Sequence, residues 1–128
     1  MTEGKFRIWV VDDDAISNFV TVRHLKQFKT LGFIQDFKNP LDALEFLRNT
    51  EVAHLPDFIL LDINMPHLDG WSVLDQMMEM KIDFPKVFML TSSIYPEDFE
   101  KSQNYSLVKG FIVKPLDRVK IQTELNID

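Results

Sequence analysis

Three consecutive acids, Asp12, Asp13 and Asp14, follow the apolar residues Ile8, Val10 and Val11, and a fourth, Asp62, follows Ile59, Leu60 and Leu61. Thr91, with Ser92 and Ser93 behind it, follows Met89 and Leu90, and Lys114 follows Ile112 and Val113 and precedes Pro115. Carboxylates crowded at one rim repel each other unless a cation sits among them. Two or three of them, with a backbone carbonyl and waters, make the sparse oxygen site that suits Mg²⁺ (or Mn²⁺), a hard ion slow to shed its water. A carboxylate beside such an ion can attack a phosphoryl donor, because metal and amine neutralise charge on the transferred oxygens. In that chemistry Asp62 becomes an acyl phosphate, Lys114 pairs with one phosphoryl oxygen as a point charge, and the Thr91 hydroxyl hydrogen-bonds another.

For these residues to meet, the elements carrying them must end at one edge. Short apolar runs alternate with longer amphipathic segments, the pattern of repeated strand–helix units around a parallel sheet. Strands are predicted over 7–11, 33–37, 57–61, 86–90 and 110–113, and the near-continuous apolar stretches among them fit central strands covered on both faces. The first helix is predicted over about 15–30, with Ile16, Val20, Phe28 and Leu31 on one side and Gly32 as C-cap. The second opens with Asn39 as N-cap, Pro40 and Asp42, and places Leu41, Leu44 and Leu47 at helical spacing. The third covers about 70–80, burying Trp71, Leu74 and Met77 or Met78. The fourth, about 96–104, is anchored by Phe99 and is the poorest in apolar residues, which predicts the most mobile helix. The fifth has Asp117 as N-cap and carries Ile121 and Leu125. Such βα repeats predict an α/β, doubly wound, flavodoxin-like fold: five parallel strands in order 2-1-3-4-5 with five helices, and a site outside the carboxyl ends of the strands. Four of the five predicted strand ends then deliver an acid, a hydroxyl or an amine to that edge, and the second delivers nothing obvious.

Bulk properties narrow the field. The chain has 128 residues, which fits a single domain over 1–128 with about 6–126 structured, and 45% of them are hydrophobic. It has no cysteine, so disulfides, thiolate metal sites and cysteine nucleophiles are excluded. No apolar run spans a bilayer and the N-terminus lacks a signal-peptide core, so no membrane partner and a cytoplasmic location are expected. The net charge of −6 argues against nucleic acid as a partner. With only 4 glycines, neither GxxxxGK[ST] nor GxGxxG is present.

Four segments, VVDDD over 10–14, LLDINMPHLDG over 60–70, MLTSS over 89–93 and GFIVKPL over 110–116, strongly resemble the receiver domain of two-component response regulators. The resemblance covers essentially the whole chain. It places an acidic metal-binding pair on Asp12 and Asp13, with Asp13 the more direct ligand, the phosphoacceptor on Asp62, and a metal-binding backbone carbonyl on Asn64. It also places the switch hydroxyl on Thr91, the phosphate-binding lysine on Lys114, the switch aromatic on Phe111, and a cis bond between Lys114 and Pro115. Asp14 leaves the register of the acidic pair open by one residue; the strand is completed by Val10 and Val11 when the pair is Asp12 and Asp13. Phe111 stands where Tyr is commoner, which removes a hydroxyl from the switch, and Ser93 is neutral where some relatives carry an acid.

The resemblance implies a stand-alone signalling switch with no enzymatic activity beyond its own phosphorylation and dephosphorylation. Asp62 takes its phosphoryl group from a histidine kinase or histidine phosphotransfer protein in a Mg²⁺-dependent reaction. Thr91 and Phe111 then reshape the face formed by the fourth helix, fifth strand and fifth helix, which contacts a target protein or a second copy of the chain. Two other readings compete. A Mg²⁺-dependent phosphohydrolase with an aspartate nucleophile would want a second acid where Asn64 stands, and an acidic pair after the nucleophile instead of before it. A phosphorylation-independent interaction module would not need Asp12, Asp13, Asp62, Thr91 and Lys114 together. Each residue also has a plain reading: Asp13 or Asp14 as a helix cap, Thr91 as a strand terminator, Lys114 as a solvated loop lysine, and Phe111 as core. His24, His54 and His67 lack paired spacing and are expected on the surface, and Trp9 and Trp71 in or near the core.

Overall fold

A computed structural model of the chain describes residues 5–66, 68–82, 84–92 and 94–128, so His67 and Ser93 lie outside the described residues. Its elements run β1 (Phe6–Val11), α1 (Ala15–Leu25), β2 (Leu31–Phe37), α2 (Pro40–Asn49), a short 3₁₀ turn (Val52–His54), β3 (Phe58–Asp62), α3 (Gly70–Glu79), β4 (Lys86–Thr91), α4 (Pro96–Ser102), β5 (Val108–Val113) and α5 (Arg118–Leu125). All strand pairs are parallel and the order is β2-β1-β3-β4-β5, the doubly wound arrangement expected from the sequence.

Successive side chains on a strand face opposite sides of the sheet, so each central strand feeds two cores. Trp9, Val11, Ile59, Leu61, Val87 and Met89 pack with Leu44 and Leu47 of α2 and Leu74 and Met77 of α3. Ile8, Val10, Phe58, Leu60, Phe88 and Leu90 pack with Leu25 of α1 and Ile121 and Leu125 of α5. Burial on both faces is why these strands read as unbroken apolar runs. Local signals hold at the caps: the Asn39 side chain accepts from the Leu41 amide, with Pro40 at the first helical position, and Asp117 accepts from the Lys120 amide.

Several expectations need correction. Helix α1 stops at Leu25, and Lys26, not Gly32, is its C-cap. Pairing between β1 and β2 sets Leu31 opposite Phe6, so the chain must turn by then, and Gly32 lies inside β2. It does so through tightened bonds from the Gln27, Phe28 and Leu31 amides to residues three back. Strand β5 likewise starts at Val108, two residues before its predicted start, and α4 ends at Ser102.

The inward face of α1 is also not the apolar one. Asn18, Thr21 and Leu25 are its buried residues, whereas Ile16 is 77% and Phe19 64% exposed. Phe99 is exposed rather than anchoring, Leu41 is exposed although Leu44 and Leu47 at the same spacing are buried, and of the methionine pair Met77 is buried and Met78 exposed. His24 is half-buried rather than on the surface, with its Nδ1 atom enclosed, while His54 is exposed.

Candidate functional site

The carboxyl ends of β1, β3, β4 and β5 lie side by side because those strands are neighbours in the sheet. Asp12 follows β1, Asp62 closes β3, Thr91 closes β4, and Lys114 follows β5. One carboxylate oxygen from each of Asp12, Asp13 and Asp62 falls within 4.8 Å of the others. Asp14 is not in that group. It caps α1, its Oδ1 accepting from the Ile16 and Ser17 amides at 3.0 and 3.2 Å, so capping and clustering are divided between neighbouring acids.

Asp12 is fully buried. Its Oδ2 accepts from Ser17 Oγ at 2.7 Å and meets Lys114 Nζ at 2.8 Å, and its Oδ1 accepts from the Asp14 amide at 3.0 Å. Asp62 is 5% exposed; its Oδ2 meets the same ammonium at 3.3 Å and its Oδ1 accepts from the Asn64 amide at 3.2 Å. Lys114 is therefore no solvated loop lysine: it bridges two buried carboxylates. Its amide donates to the Thr91 carbonyl at 2.8 Å, and the bond to Pro115 is cis. Thr91 is buried, and Phe111 is half-buried with its ring centroid 6.5 Å from that of Phe99.

Burial and charge set the titration of this group. Burial lifts the Asp62 carboxyl from its ordinary 3.8 to about 6; Lys114 pulls it down, and the Asp12 charge pushes it up again. Burial also pushes Asp12 upward, but the Lys114 ammonium and the donors from Ser17 and Asp14 outweigh it and hold that carboxyl below its usual range. Burial works against the charged form of Lys114, yet the two carboxylates hold its pKa above the ordinary value. At neutral pH the hollow thus holds ionised Asp12, a largely ionised Asp62 and one ammonium. Three hard oxygen donors converging here fit a hard divalent cation, which would relieve the remaining repulsion.

Residues that sequence reasoning passed over hold this geometry. The Asn18 amide group donates to the Asp12 carbonyl at 3.0 Å and the Phe37 carbonyl at 3.3 Å, tying the ends of β1 and β2 together beneath the acids. The second strand therefore contributes a carbonyl where no side chain was expected. Ser17, one turn into α1, orients Asp12. Gly70 opens α3 directly against the site: its amide donates to the Ile63 carbonyl at 2.9 Å, and a Cβ there would lie 2.6 Å from the Asp62 carbonyl oxygen. Neither Ser17 nor Asn18 carries a sequence signal, but the Asp69–Gly70 pair is a recognisable turn and cap.

The family model for "Response regulator receiver domain" matches residues 8–126. The chain belongs to that family. Members take phosphoryl groups from histidine kinases or phosphotransfer proteins and serve phosphorylation-dependent signalling. The receiver chain is 28% identical over 117 residues to the probable methanogenesis regulatory protein FilR2 of Methanothrix harundinacea, covering 89% of this chain and 75% of FilR2. It is 35% identical over 114 residues to the transcriptional regulatory protein PrrA of Mycobacterium leprae, covering 86% of this chain but only 46% of PrrA. Among solved structures, a two-component response regulator from Cytophaga hutchinsonii superposes with a TM-score of 0.83 at 26% identity, covering 95% of this chain and 96% of that one. Among the described residues, no helix of this receiver is long and apolar enough to cross a membrane.

Proposed function

We propose that this receiver accepts a phosphoryl group on Asp62 in a Mg²⁺-dependent reaction and signals by protein contact. The observation that carries the reading is the single ammonium, Lys114, held between the buried carboxylates of Asp12 and Asp62 at the rim where Asp13 joins them. An Asp62 oxygen attacks the phosphorus of a phosphohistidine; the P–N bond breaks, the imidazole leaves with the electron pair, and an acyl phosphate forms. Asp12, Asp13, Asp62 and the Asn64 carbonyl would hold Mg²⁺, which supplies positive charge for the phosphoryl oxygens. Lys114, released from part of its pairing with Asp62, binds one of those oxygens, and the Thr91 hydroxyl binds another.

The donor's own surface has a natural seat. A groove lined by Asp14, Ile16, Val20, Lys114, Pro115 and Leu116 adjoins the hollow, and Lys114 is common to both. Ile16, on its α1 wall, is apolar and 77% exposed. The output face is the surface of α4, β5 and α5, where Tyr95, Phe99 and Val119 are exposed around half-buried Phe111. Movement of Phe111 toward the site on phosphorylation would alter its packing with Phe99, and a target protein or a second copy would read the change as a population shift.

The test is incubation with Mg²⁺ and acetyl phosphate, followed by intact mass measurement. One added phosphoryl group is expected, absent in Asp62→Ala and absent when the metal is chelated. No adduct, or an adduct that survives in Asp62→Ala, overturns the proposal; steady turnover of phosphate monoesters would favour a phosphohydrolase.

A further inference from the structure

Lys120 is the residue whose placement the site described so far does not use. It sits in the first turn of α5, and its side chain doubles back toward the sheet. Its Nζ donates to the Val113 carbonyl at 2.9 Å and to the Pro115 carbonyl at 2.9 Å, the carbonyls of the residues on either side of Lys114. We propose that Lys120 is a positioning residue: it clamps the loop that presents the Lys114 ammonium to Asp12 and Asp62.

Three observations carry this. First, β5 is an outer strand with β4 as its one sheet neighbour, so the segment leaving it has no strand on the far side to restrain it. An ammonium bonded to carbonyls before and after Lys114 supplies that restraint, and charge-assisted bonds of this kind are stronger than neutral ones. Second, Lys120 forgoes the ordinary partner. Glu124 lies four residues on, the spacing of a helical ion pair. Yet Lys120 has no carboxylate within 4.0 Å among the described residues, and Glu124 points instead toward Gly110, where a Cβ would lie 3.0 Å from its Oε1. Third, the base of the clamp is fixed, because Asp117 Oδ1 accepts from the Lys120 amide at 2.8 Å, and Lys120 itself is half-buried. Lys114 spans the remaining distance to Asp12 at 2.8 Å and Asp62 at 3.3 Å, where a small displacement loses both contacts.

The inference rests on the proposed phosphorylation of Asp62 for its consequence, not for its geometry, and two readouts separate them. In Lys120→Met, phosphorylation by acetyl phosphate at saturating donor is expected to slow by about tenfold, since displaced catalytic groups lose much of their effective concentration. Lys120→Arg, whose fork can serve both carbonyls, is expected to recover most of the rate. The second readout needs no phosphoryl chemistry. The Lys114 amide, bonded to the Thr91 carbonyl, should exchange with solvent faster in Lys120→Met and at the wild-type rate in Lys120→Arg. A purely structural lysine would lower the melting temperature in both assays' variants and leave the folded protein's rate and Lys114 protection unchanged, which overturns the proposal. If the wild type forms no adduct, the phosphorylation reading fails while amide exchange still decides the clamp. If Lys120→Met does not fold, the wild-type ammonium protons decide: slower exchange than at exposed Lys38 supports the clamp, and equal exchange sinks it.

Discussion

Asp62→Asn is expected to stabilise the metal-free chain at neutral pH, and the size of the gain follows from the titration of the carboxyl. Unfolded, Asp62 loses its proton near 3.8; folded, burial delays that loss to about 6. Between those values the native state binds more protons than the unfolded one, so this group's contribution falls as pH rises from about 4 to 6 and is level above. At about 1.4 kcal/mol per pH unit, the rise from 3.8 to about 6 costs the native state about 3 kcal/mol at pH 7.5. Asparagine keeps the shape and removes that cost, in which the attraction of Lys114 at 3.3 Å is already counted. Its amide also puts two donors where the carboxyl had acceptors beside that ammonium, so we expect a net gain of about 1–2 kcal/mol at pH 7.5 and close to none at pH 4. Urea denaturation at both pH values with chelator present would read it as a higher midpoint at unchanged slope. Adding Mg²⁺ should close the gap, because the ion stabilises the native wild type by mass action and has less to bind in the variant. A gain of equal size at pH 4 and 7.5, or destabilisation at pH 7.5, would refute the account of Asp62 as a buried charge under strain.

Two further substitutions probe what holds and what addresses the site. In Gly70→Ala the new methyl would sit 2.6 Å from the Asp62 carbonyl oxygen, a backbone atom unable to yield cheaply, so a loss of about 2–3 kcal/mol in thermal melts and a slower adduct are expected. Ile16→Ala removes exposed apolar surface and should leave stability within about 0.5 kcal/mol. It should slow transfer from a phosphohistidine protein while sparing acetyl phosphate, and equal effects on both donors would remove the groove from the reading.

The sequence disclosed the parts of this molecule that depend on neighbouring residues along the chain. Apolar runs ending in Asp12, Asp62, Thr91 and Lys114 announced both the strands and the edge where their ends gather, because doubly buried strands exclude charge until they emerge. Asn39 and Asp117 announced helix starts, since capping is settled within four residues. What stayed hidden depends on distant partners. The end of α1 is dictated by the pairing of Phe6 with Leu31, which no local propensity encodes. Asn18 and Lys120 looked like ordinary helical polar residues, because nothing in their own neighbourhood reveals which carbonyl their side chains reach. Ile16 and Phe99 were misplaced for a related reason: apolar type indicates burial only on average, and both lie on the exposed side of their helices.

Helix α1 wears its amphipathicity inside out, with Asn18 and Thr21 against the sheet and Ile16 and Phe19 toward solvent. If donors seat in the groove beside Ile16 as proposed, fold and recognition are written on separate letters of one short segment. Substitution at 16 would then redraft which donor is welcomed while the tie between the first two strands goes untouched, so specificity would drift across generations without passing through an unfolded ancestor.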